Sequence, residues 1–400
     1  MASRQRSAPP AAQAPRQLFG TTPAERVALA RRQLFEEGQR PTGLVSEAVI
    51  QSWMRSYRVH PDPRRAVALD PVSNSRLQAA LERSRTLLCR AQPDLQTMER
   101  ALAGTGACVM LTNADGVLLY NTPLSVQTQM LTRAFARPGV NLGEHRVGTS
   151  APGIVASTGS ACTVLGGEHY FEAMAGLRCA AAPIRDIHGR LAGVLDVTVE
   201  DDAFGFDAGA MVGLYATSIE NDLLQSLASD QLILRFQTNP ALLQTPLVGL
   251  AGVADDGTVA WLNDAAAQLL GVLPTGAAPR HVEALLGQSV DGLLRLCRGA
   301  PQPVRLPSRL TVWATATLTG HRAAMEAPQA RTPPVPAPPV NESAQQAPGL
   351  SVPLAEASTL REHHRLLIEQ TLAAHGGNVT QAARQLRVSR GTLYRQLRQA

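Results

Sequence analysis

The sequence predicts a multidomain α+β protein of 400 residues, with an antiparallel sheet flanked by helices, a smaller α+β module and an all-α helix-turn-helix. Three observations predict this fold class. A strand-turn-strand pattern with a two-residue turn ending in glycine occurs three times in the middle of the chain. Apolar residues at helical spacing precede and follow these patterns. A proline-rich stretch then separates them from a basic helical tail, which indicates a separate terminal domain.

The N-terminal part is predicted to be helical after a short arm. Residues 1–20 are a basic, low-complexity stretch rich in Pro and Ala, which we expect to be disordered. Residues 21–88 follow with helical periodicity, and a second helix is expected over residues 74–88. The first helix carries an apolar stripe at positions i, i+3, i+4 and i+7: Ile50, Trp53, Met54 and Tyr57. This stripe is expected to pack into a core.

The first mixed module is predicted over residues 89–230. ACVMLTNADGVLLYN indicates two strands joined by an Asp-Gly turn, and APIRDIHGRLAGVLDVTV indicates two strands joined by a His-Gly turn. A long helix is expected over residues 209–227. The order of helix, hairpin, loop, hairpin and helix is typical of an antiparallel sheet flanked by helices, so we predict an α+β sensor module.

A second, smaller α+β module is predicted over residues 245–322. LVGLAGVADDGTVAWLN again indicates two strands around an Asp-Gly turn, DAAAQLLG indicates a helix, and RLTVWATATL indicates a final strand. Residues 323–353 include PPVPAPPV and are predicted to be an extended, semi-rigid linker. The linker joins the two modules to residues 354–400, the predicted helix-turn-helix domain.

The last 25 residues, from Gly376 to Ala400, carry most of the functional information. They contain five Arg and no Asp or Glu, so their charge of +5 equals that of the whole chain. The Gly376-Gly377 pair ends one helix, Asn378 caps a second, and Ser389 caps a third after a three-residue turn. Two short helices joined by such a turn are a helix-turn-helix. The sequence therefore predicts a DNA-binding element; a structural bundle with solvated arginines is the alternative.

Eight residues of this tail form the predicted interface with double-stranded DNA. The first turn of the last helix reaches base edges in the major groove, where arginine can bond bidentately to guanine. We therefore assign base contacts to Arg390 and Arg395. The other three arginines of the tail are expected to contact phosphates. The complete predicted set is Arg384, Arg387, Ser389, Arg390, Gly391, Thr392, Arg395 and Arg398.

The tail resembles a known family. GNVTQAARQL and VSRGTLYRQL resemble the C-terminal domain of the Fis family of DNA-binding proteins, over about 40 residues. The resemblance implies a homodimer. It also implies that the helix before the Gly-Gly pair, residues 358–375, helps to pair the subunits.

Other strings resemble the sensory half of AcoR-like activators of acetoin catabolism, which are bacterial enhancer-binding regulators. VIQSWMRSYR matches the leading helix of that family, and LTNADGVLL matches its first hairpin. GEHRVGTSAPG, GGEHY and CAAAPIRDIHGRLAGVLDVT match the core of its GAF domain. Together these strings cover residues 45–230. The resemblance implies a GAF-like domain that senses a small-molecule effector, followed by a PAS-like domain over residues 245–322.

The sequence also departs from that family. Ser56 stands where the leading helix of the family has Cys, and Ser150 and Pro152 alter its GTNAIG string. The larger departure concerns the central AAA+ ATPase of those activators. Its P-loop requires a lysine, and the 400 residues contain none. The GAFTGA loop that contacts the alternative sigma factor is missing as well. We therefore predict a regulator without ATPase activity.

Four residues are candidates for contact with the effector. His169 and Tyr170 lie in a predicted loop over the sheet, where they would either orient a ligand or pack the loop. Cys179 begins a strand and is either a redox or metal-binding thiol or a small buried residue. Asp196 lies in an apolar strand, so its carboxylate must be paired or exposed, through a structural hydrogen bond or in a pocket.

Composition argues against several other kinds of site. The five Cys are odd in number and lack a CxxC pair, so neither a disulfide framework nor a zinc site is expected. No Ser-His-Asp or paired-carboxylate arrangement indicates catalysis, and we expect no metal and no cofactor. No stretch is apolar enough for a membrane span, and the N-terminus lacks a secretory signal. A cytoplasmic protein is therefore predicted.

Three hypotheses about function follow. In the first, the chain is a bacterial one-component transcriptional regulator that senses a small molecule and binds DNA as a dimer. In the second, it is an interaction protein that pairs with a full-length AAA+ activator and modulates it; RNA polymerase is a further candidate partner. In the third, it is an enzyme such as a GAF-type methionine sulfoxide reductase, against which the long regulatory tail argues.

Overall fold

The computed structural model describes five ranges of the chain: residues 22–124, 130–200, 203–273, 280–297 and 299–319. The chain divides into two compact units, Met1–Arg331 and Thr332–Ala400, and all the described residues belong to the first. The predicted N-terminal arm, proline-rich linker and helix-turn-helix therefore lie outside the described residues. Within the described ranges, the fold is mixed α/β with two antiparallel sheets, as the sequence predicts.

Four helices form the N-terminal part: α1 (Pro23–Phe35), α2 (Glu47–Val59), α3 (Asn74–Arg83) and α4 (Arg85–Ala101). The side chains of Thr22, Ser46 and Ser73 accept hydrogen bonds from backbone amides in the first turns of α1, α2 and α3. These N-caps satisfy amides that have no partner inside the helix, and so fix where each helix begins. The single helix predicted over residues 74–88 is in fact two helices, because the backbone leaves the helical conformation at Ser84.

The predicted apolar stripe of α2 packs inward only in part. Ile50 and Trp53 are fully buried, Met54 is half-buried, and Tyr57 is 46% exposed. The ring of Trp53 packs against Phe35 of α1, with the ring centroids 5.5 Å apart. Burial of a side chain as large as Trp53 contributes about 2–3 kcal/mol to folding, which makes it the main anchor of α2.

The first sheet has five strands: β1 (Cys108–Asn113), β2 (Leu118–Asn121), β3 (Cys162–Leu165), β4 (Leu177–Arg185) and β5 (Leu191–Glu200). Their order is β2-β1-β5-β4-β3, and every neighbouring pair is antiparallel. The two predicted hairpins are confirmed as β1–β2 and β4–β5. The sequence analysis missed β3, because a four-residue strand with mixed burial carries little periodic signal.

Helices cover both faces of this sheet: α5 (Met130–Phe135), α6 (Glu144–Val147), α7 (Ala151–Thr158) and α8 (Ala208–Leu227), in addition to the N-terminal four. On one face α4 and α8 enclose an apolar core with the sheet. On the other face α1, α2, α6 and α7 enclose a second core. The long helix predicted over residues 209–227 is confirmed as α8, which Asp207 caps.

The second sheet has six strands: β6 (Leu232–Gln237), β7 (Gly249–Val253), β8 (Thr258–Leu262), β9 (Arg280–His281), β10 (Gln302–Arg305) and β11 (Thr311–Leu318). Its order is β10-β11-β6-β7-β8-β9. Three short helices accompany it: α9 (Asp264–Leu270), α10 (Val282–Leu286) and α11 (Val290–Arg295). The predicted β7–β8 hairpin, helix α9 and strand β11 are confirmed. The sheet begins at Leu232 rather than at residue 245, because β6 is a central strand that the sequence analysis missed.

One face of the second sheet packs against the first module. Its apolar contacts join the end of α8 and the β4–β5 turn to strands β6, β7, β8 and β11 and to the segment between β6 and β7: Ile187, Leu224, Ala228, Ile233, Leu243, Val248, Leu250, Trp261 and Trp313. A buried amide pair reinforces them, since Asn263 Nδ2 donates to Asn221 Oδ1 over 2.8 Å. We call this region, formed by α8, the β4–β5 turn and the facing side of the second sheet, the junction.

Within the described ranges, no helix has both the length and the apolar character needed to cross a bilayer.

Candidate effector site

The register of the first sheet brings two of the four predicted effector residues, Cys179 and Asp196, onto one face, and a loop brings a third, His169, to the same face. Cys179 on β4 lies opposite Thr198 on β5, and Ala181 lies opposite Asp196. Side chains two residues apart on a strand share a face, so Cys179, Thr198 and Asp196 all point toward the core beneath α1, α2 and α7. All three are buried. His169 descends onto the same face from the loop after β3.

A chain of hydrogen bonds connects these four side chains. His169 Nε2 lies 3.4 Å from Cys179 Sγ, and Thr198 Oγ1 lies 3.1 Å from the same sulfur. Thr198 Oγ1 also lies 2.7 Å from Asp196 Oδ2. At the other end, His169 Nδ1 lies 3.0 Å from the carbonyl oxygen of Gly166. A carbonyl only accepts, so Nδ1 carries the imidazole proton and Nε2 accepts from the Cys179 thiol.

Burial sets the protonation of the chain. It raises the pKa of Asp196 to about 7, although the hydrogen bond from Thr198 opposes the shift. Burial lowers the pKa of His169 to about 4 and raises the pKa of Cys179 well above its ordinary value. At neutral pH the imidazole and the thiol are therefore uncharged. When Asp196 is protonated, every bond can run in one direction, from Asp196 to Thr198, to Cys179 and to His169.

Two buried oxygens on this face have no hydrogen-bond partner among the described residues: Asp196 Oδ1 and Thr112 Oγ1. Thr112 lies on β1 opposite Val194, two pairs along from the pair of Met110 with Asp196, and so on the same face. A buried polar atom without a partner is costly, so such atoms often mark the place of a water or ligand. Both oxygens can accept a hydrogen bond, and the Thr112 hydroxyl can also donate one. A small molecule bound at this face would need a donor for Asp196 Oδ1 and could offer either a donor or an acceptor to the Thr112 hydroxyl.

Tyr170, the fourth predicted residue, lies beside this chain rather than in it. Its ring is fully buried and meets the rings of Phe35 and Phe171 edge-on, at centroid distances of 5.7 and 5.0 Å. Its hydroxyl donates to the carbonyl oxygen of His60, just after α2. Tyr170 therefore holds α2 against the loop that carries His169.

The N-terminal helices close the site. Arg31 on α1 donates to three carbonyl oxygens of the loop, those of Gly167, His169 and Tyr170, at 3.1, 2.8 and 3.1 Å. Trp53 Nε1 on α2 donates to the carbonyl oxygen of Glu168 over 2.7 Å. These bonds fix the loop over the sheet, so a ligand can reach Asp196 only if α1, α2 or the loop moves.

The positions that depart from the family pattern have structural roles close to these helices and this loop. Ser56 lies 3.4 Å from Thr149 Oγ1, to which Ser52 also donates, so a buried hydroxyl cluster replaces the thiol. Ser150 caps α7 by accepting the backbone amide of Gly153 at 3.2 Å. Pro152 lies in the first turn of α7, where backbone amides have no partner inside the helix, so the missing N–H of proline costs no hydrogen bond. The altered loop is thus a well-formed helix start.

The remaining predicted functional residues have different outcomes. The eight predicted DNA-contacting residues lie outside the described residues. Thr198 and Thr112 also lie at this site, although the sequence analysis did not select them. Thr198 could have been found from its spacing of two residues from Asp196, and Thr112 from its position on the first hairpin. Among the described residues, no group of three or more His, Cys, Asp and Glu side chains could hold a metal ion.

Two parts of the chain match known family models. Residues 22–210 match the family described as "MimR, N-terminal domain". Residues 359–399 match the family described as "Bacterial regulatory protein, Fis family", so the resemblance seen in the sequence is confirmed. Both matches thus occur in one chain.

Two relatives that are similar to parts of this chain are transcriptional regulators. The propane 2-monooxygenase operon transcriptional activator MimR of Mycolicibacterium smegmatis is 31% identical over 174 residues, which are 42% of this chain and 28% of that protein. The acetoin catabolism regulatory protein of Cupriavidus necator is 29% identical over 257 residues, which are 62% of this chain and 38% of that protein. The resemblance to AcoR-like activators is therefore confirmed, although the chain spans less than two-fifths of either relative.

A solved structure is also similar in part. It is the Escherichia coli DhaR(N)-DhaL complex, with 15% identity and a TM-score of 0.42 over 68% of this chain and 99% of that chain.

Proposed function

We propose that this protein is a one-component transcriptional regulator that binds specific DNA sequences as a dimer. In this proposal a small molecule binds the GAF-like module, residues 89–230, and residues 354–400 contact the DNA. The observation that carries the proposal is the presence of a MimR-type N-terminal domain and a Fis-family segment in a single chain. A chain with both parts can couple a ligand to DNA binding without a separate sensor protein, and such a regulator would act on DNA in the cytoplasm.

The candidate effector site supports the sensing part of the proposal. Asp196 Oδ1 and Thr112 Oγ1 are buried acceptors that a ligand could satisfy. A ligand changes DNA binding only if it binds one state of the protein better than another. Entry to this closed face requires movement of α1, α2 or the loop that Arg31 and Trp53 hold, so bound and free states would differ there.

The proposal includes no ATPase activity. The sequence has no lysine for a P-loop, and its DNA-binding segment follows the described modules after a proline-rich stretch. Control of transcription would then depend on occupancy of DNA, or on contact with RNA polymerase or a related AAA+ activator.

Selection of DNA by the full-length protein tests the proposal. A random duplex library is enriched on the protein, and the selected sequence is used in mobility-shift titrations. We expect Arg390→Ala to relax base preference at one position, with a loss of about 1–3 kcal/mol, and Arg398→Ala to weaken all sequences alike. Arg331→Ala, which changes an arginine outside the predicted interface, is the matched control and should bind as the wild type does.

Two outcomes would contradict the proposal. If simultaneous replacement of the five tail arginines by Ala leaves DNA binding unchanged, the tail is not the DNA-binding element. If no sequence is enriched and the protein instead copurifies with an AAA+ activator, the hypothesis of an interaction protein replaces this one.

A further inference from the structure

The junction contains a cavity of about 410 Å³. This volume lies within the range of small-molecule sites, which occur preferentially where two modules meet. Its apolar lining includes Ile187 of the β4–β5 turn, Leu224 of α8, and Val259 and Trp261 of β8. It is separate from the candidate effector site, because neither Asp196 nor Thr112 lines it.

A buried carboxyl group lines this cavity. Glu220 on α8 is only 8% exposed, and its Oε2 accepts the backbone amide of Arg185 over 2.7 Å. None of the ion pairs found in the described ranges includes Glu220. Burial is the main cause that raises the pKa of Glu220 to about 7; the charge of Asp264 acts in the same direction, whereas the backbone amide and the charge of Arg185 oppose it. Without a cation at ion-pair distance in the described ranges, this carboxyl can accept one from a ligand.

The arginines that line the cavity are engaged elsewhere. The guanidinium of Arg185 donates to the carbonyl oxygen of Gly159, and it lies 3.8 Å from Asp264, which is 57% exposed. Arg280 Nη1 donates to the carbonyl oxygen of Leu273 over 2.6 Å. Both guanidinium groups therefore have other partners, and neither forms an ion pair with Glu220 in the described ranges.

The other charged groups of the lining are also accounted for. Asp186 is occupied by its own turn, where it accepts the backbone amides of His188 and Arg190 at 2.8 and 2.9 Å. His188 is exposed at the tip of the turn. The negative charge available to a ligand is therefore that of Glu220 and Asp264.

We propose that this cavity binds a small organic cation, an alkylammonium or alkylguanidinium ion. Its charged group contacts Glu220 and Asp264, and its hydrocarbon part packs against Ile187, Leu224 and Trp261. The indole N–H of Trp261 already donates to Gln231 Oε1 over 2.8 Å, so Trp261 offers the ligand an apolar and aromatic surface rather than a donor.

Fluorescence titration of the full chain tests this proposal, because Trp261 lines the cavity. The probes are n-butylammonium and n-butylguanidinium, with n-butanol and butyrate as neutral and anionic compounds of similar size. We expect a saturable change with the two cations, accompanied by a rise in the thermal unfolding midpoint, and no saturable change with butanol or butyrate.

Variants show which carboxyl groups carry the binding. Glu220→Gln keeps the acceptor for the Arg185 amide and should weaken the affinity for either cation about tenfold or more. Asp264→Asn should weaken it as well. Glu283→Gln, which changes an exposed glutamate on α10, is the matched control and should leave the affinity unchanged. If Glu220→Gln fails to fold by circular dichroism, the Asp264→Asn variant decides.

The pH dependence gives an independent check. The cation binds the ionised carboxylate, so affinity should fall as pH drops below about 7, approaching tenfold per pH unit. The other charged or titratable groups that line the cavity are Arg185, Asp186, His188, Asp264 and Arg280. Only the Glu220 contribution disappears in Glu220→Gln, so the difference between the two pH profiles isolates it.

The proposal is overturned if neither cation gives a saturable change, if n-butanol binds as tightly as n-butylammonium, or if Glu220→Gln and Asp264→Asn both bind the cations with wild-type affinity. None of these outcomes bears on DNA binding by residues 354–400, so the two proposals can fail separately.

Discussion

At the scale of single residues, Asp196 has the most informative environment. A carboxyl group with no exposed surface is charged only at a large cost, and here the sole side-chain bond that offsets the cost comes from Thr198. The group therefore keeps its proton to about neutral pH. Replacement by an apolar side chain would remove this cost, but it would also leave Thr198 and Cys179 without the bond that orders them.

The raised pKa of Asp196 predicts a pH-dependent stability. Burial moves this pKa from 3.8 in the unfolded chain to about 7, so the folded state binds more protons between these values. The contribution of Asp196 to the free energy of unfolding is therefore most favourable at low pH and is lost as the pH rises toward 7. Between pH 5 and pH 8 the free energy of unfolding should fall by about 2–3 kcal/mol because of this group.

Urea unfolding of the full chain at pH 5, 6, 7 and 8 checks this prediction, with Asp196→Asn compared with the wild type. Asn keeps an oxygen for the Thr198 hydroxyl but does not titrate. The advantage of the variant should therefore grow as pH rises. His169, whose pKa is lowered to about 4, contributes equally to both proteins and cancels in the difference. An equal pH slope in both proteins would refute the assignment; Asp291→Asn, at an exposed site, is the control.

At the scale of elements, the β4–β5 hairpin links the two sites. Its strands carry Cys179 and Asp196 on the face beneath α2 and α7, and its turn places Ile187 among the apolar side chains of the junction. A second sheet packed on that turn is thus in direct contact with the strand that forms the candidate effector site. Gly193, on β5, sets how closely this hairpin approaches β1 and α4.

Gly193 is predicted to tolerate no side chain. A Cβ atom at this position would lie 2.5 Å from the carbonyl oxygen of Thr112 and 2.7 Å from Leu87 Cδ2. The first of these is backbone in a paired strand and cannot move aside cheaply. Gly193→Ala should therefore lower the free energy of unfolding by about 3 kcal/mol, measured by urea denaturation.

Gly213→Ala is the matched control for this substitution. Gly213 lies in α8, and a Cβ atom added there meets nothing within 4 Å. Because alanine is the better helix former, this change should stabilise the protein by about 0.5–1 kcal/mol. If the two alanine variants have the same stability, the close approach at Gly193 does not constrain the sheet.

At the scale of the whole molecule, the proposed dimer predicts the form of its DNA site. Two helix-turn-helix segments related by a twofold axis recognise an inverted repeat whose half-sites lie about one helical turn, or 10–10.5 base pairs, apart. Insertion of about 5 base pairs between the half-sites turns one of them to the opposite side of the duplex. Binding should then drop to the level of a single half-site.

Mobility-shift titration with the selected DNA and its spacing variants measures this effect. Insertion of a full turn, about 10 base pairs, is the control, since it restores the facing of the half-sites and should recover part of the affinity. Equal binding to all three spacings would show that the protein does not bind as a rigidly spaced dimer.

Much of the fold could be predicted from local sequence. The hairpins β1–β2, β4–β5 and β7–β8 were predictable because alternating apolar residues flank glycine-containing turns. The helices α2 and α8 were predictable from their periodicity. Strands β3 and β6 were not, since β6 is buried on both sides and β3 is short, so neither shows the alternation of a half-exposed strand. The break at Ser84 was missed because the helical pattern continues across it.

The candidate site was predictable only in part. Asp196 drew attention because a carboxylate in an apolar strand needs a partner, and His169 and Cys179 because of their chemistry. Their joint hydrogen-bond chain could not be foreseen, since it depends on which residues of β4 and β5 lie opposite each other. Thr198 completes the chain through that register alone. Tyr170 was selected because it follows His169 in the sequence, but its hydroxyl donates to the carbonyl oxygen of His60 and does not join the hydrogen-bond chain.

The sequence by itself determined the order of the predicted modules and the charge of the tail. Turn glycines and apolar periodicity predicted the modules, the absence of lysine ruled out a P-loop, and five arginines made the tail basic. These properties are local, so a single sequence carries them. Only the tertiary structure decided that Asp196 is buried without a partner for Oδ1, that Arg31 and Trp53 close the site, and that Glu220 faces the junction cavity. These properties arise from contacts between residues far apart in the chain, which burial and strand register create.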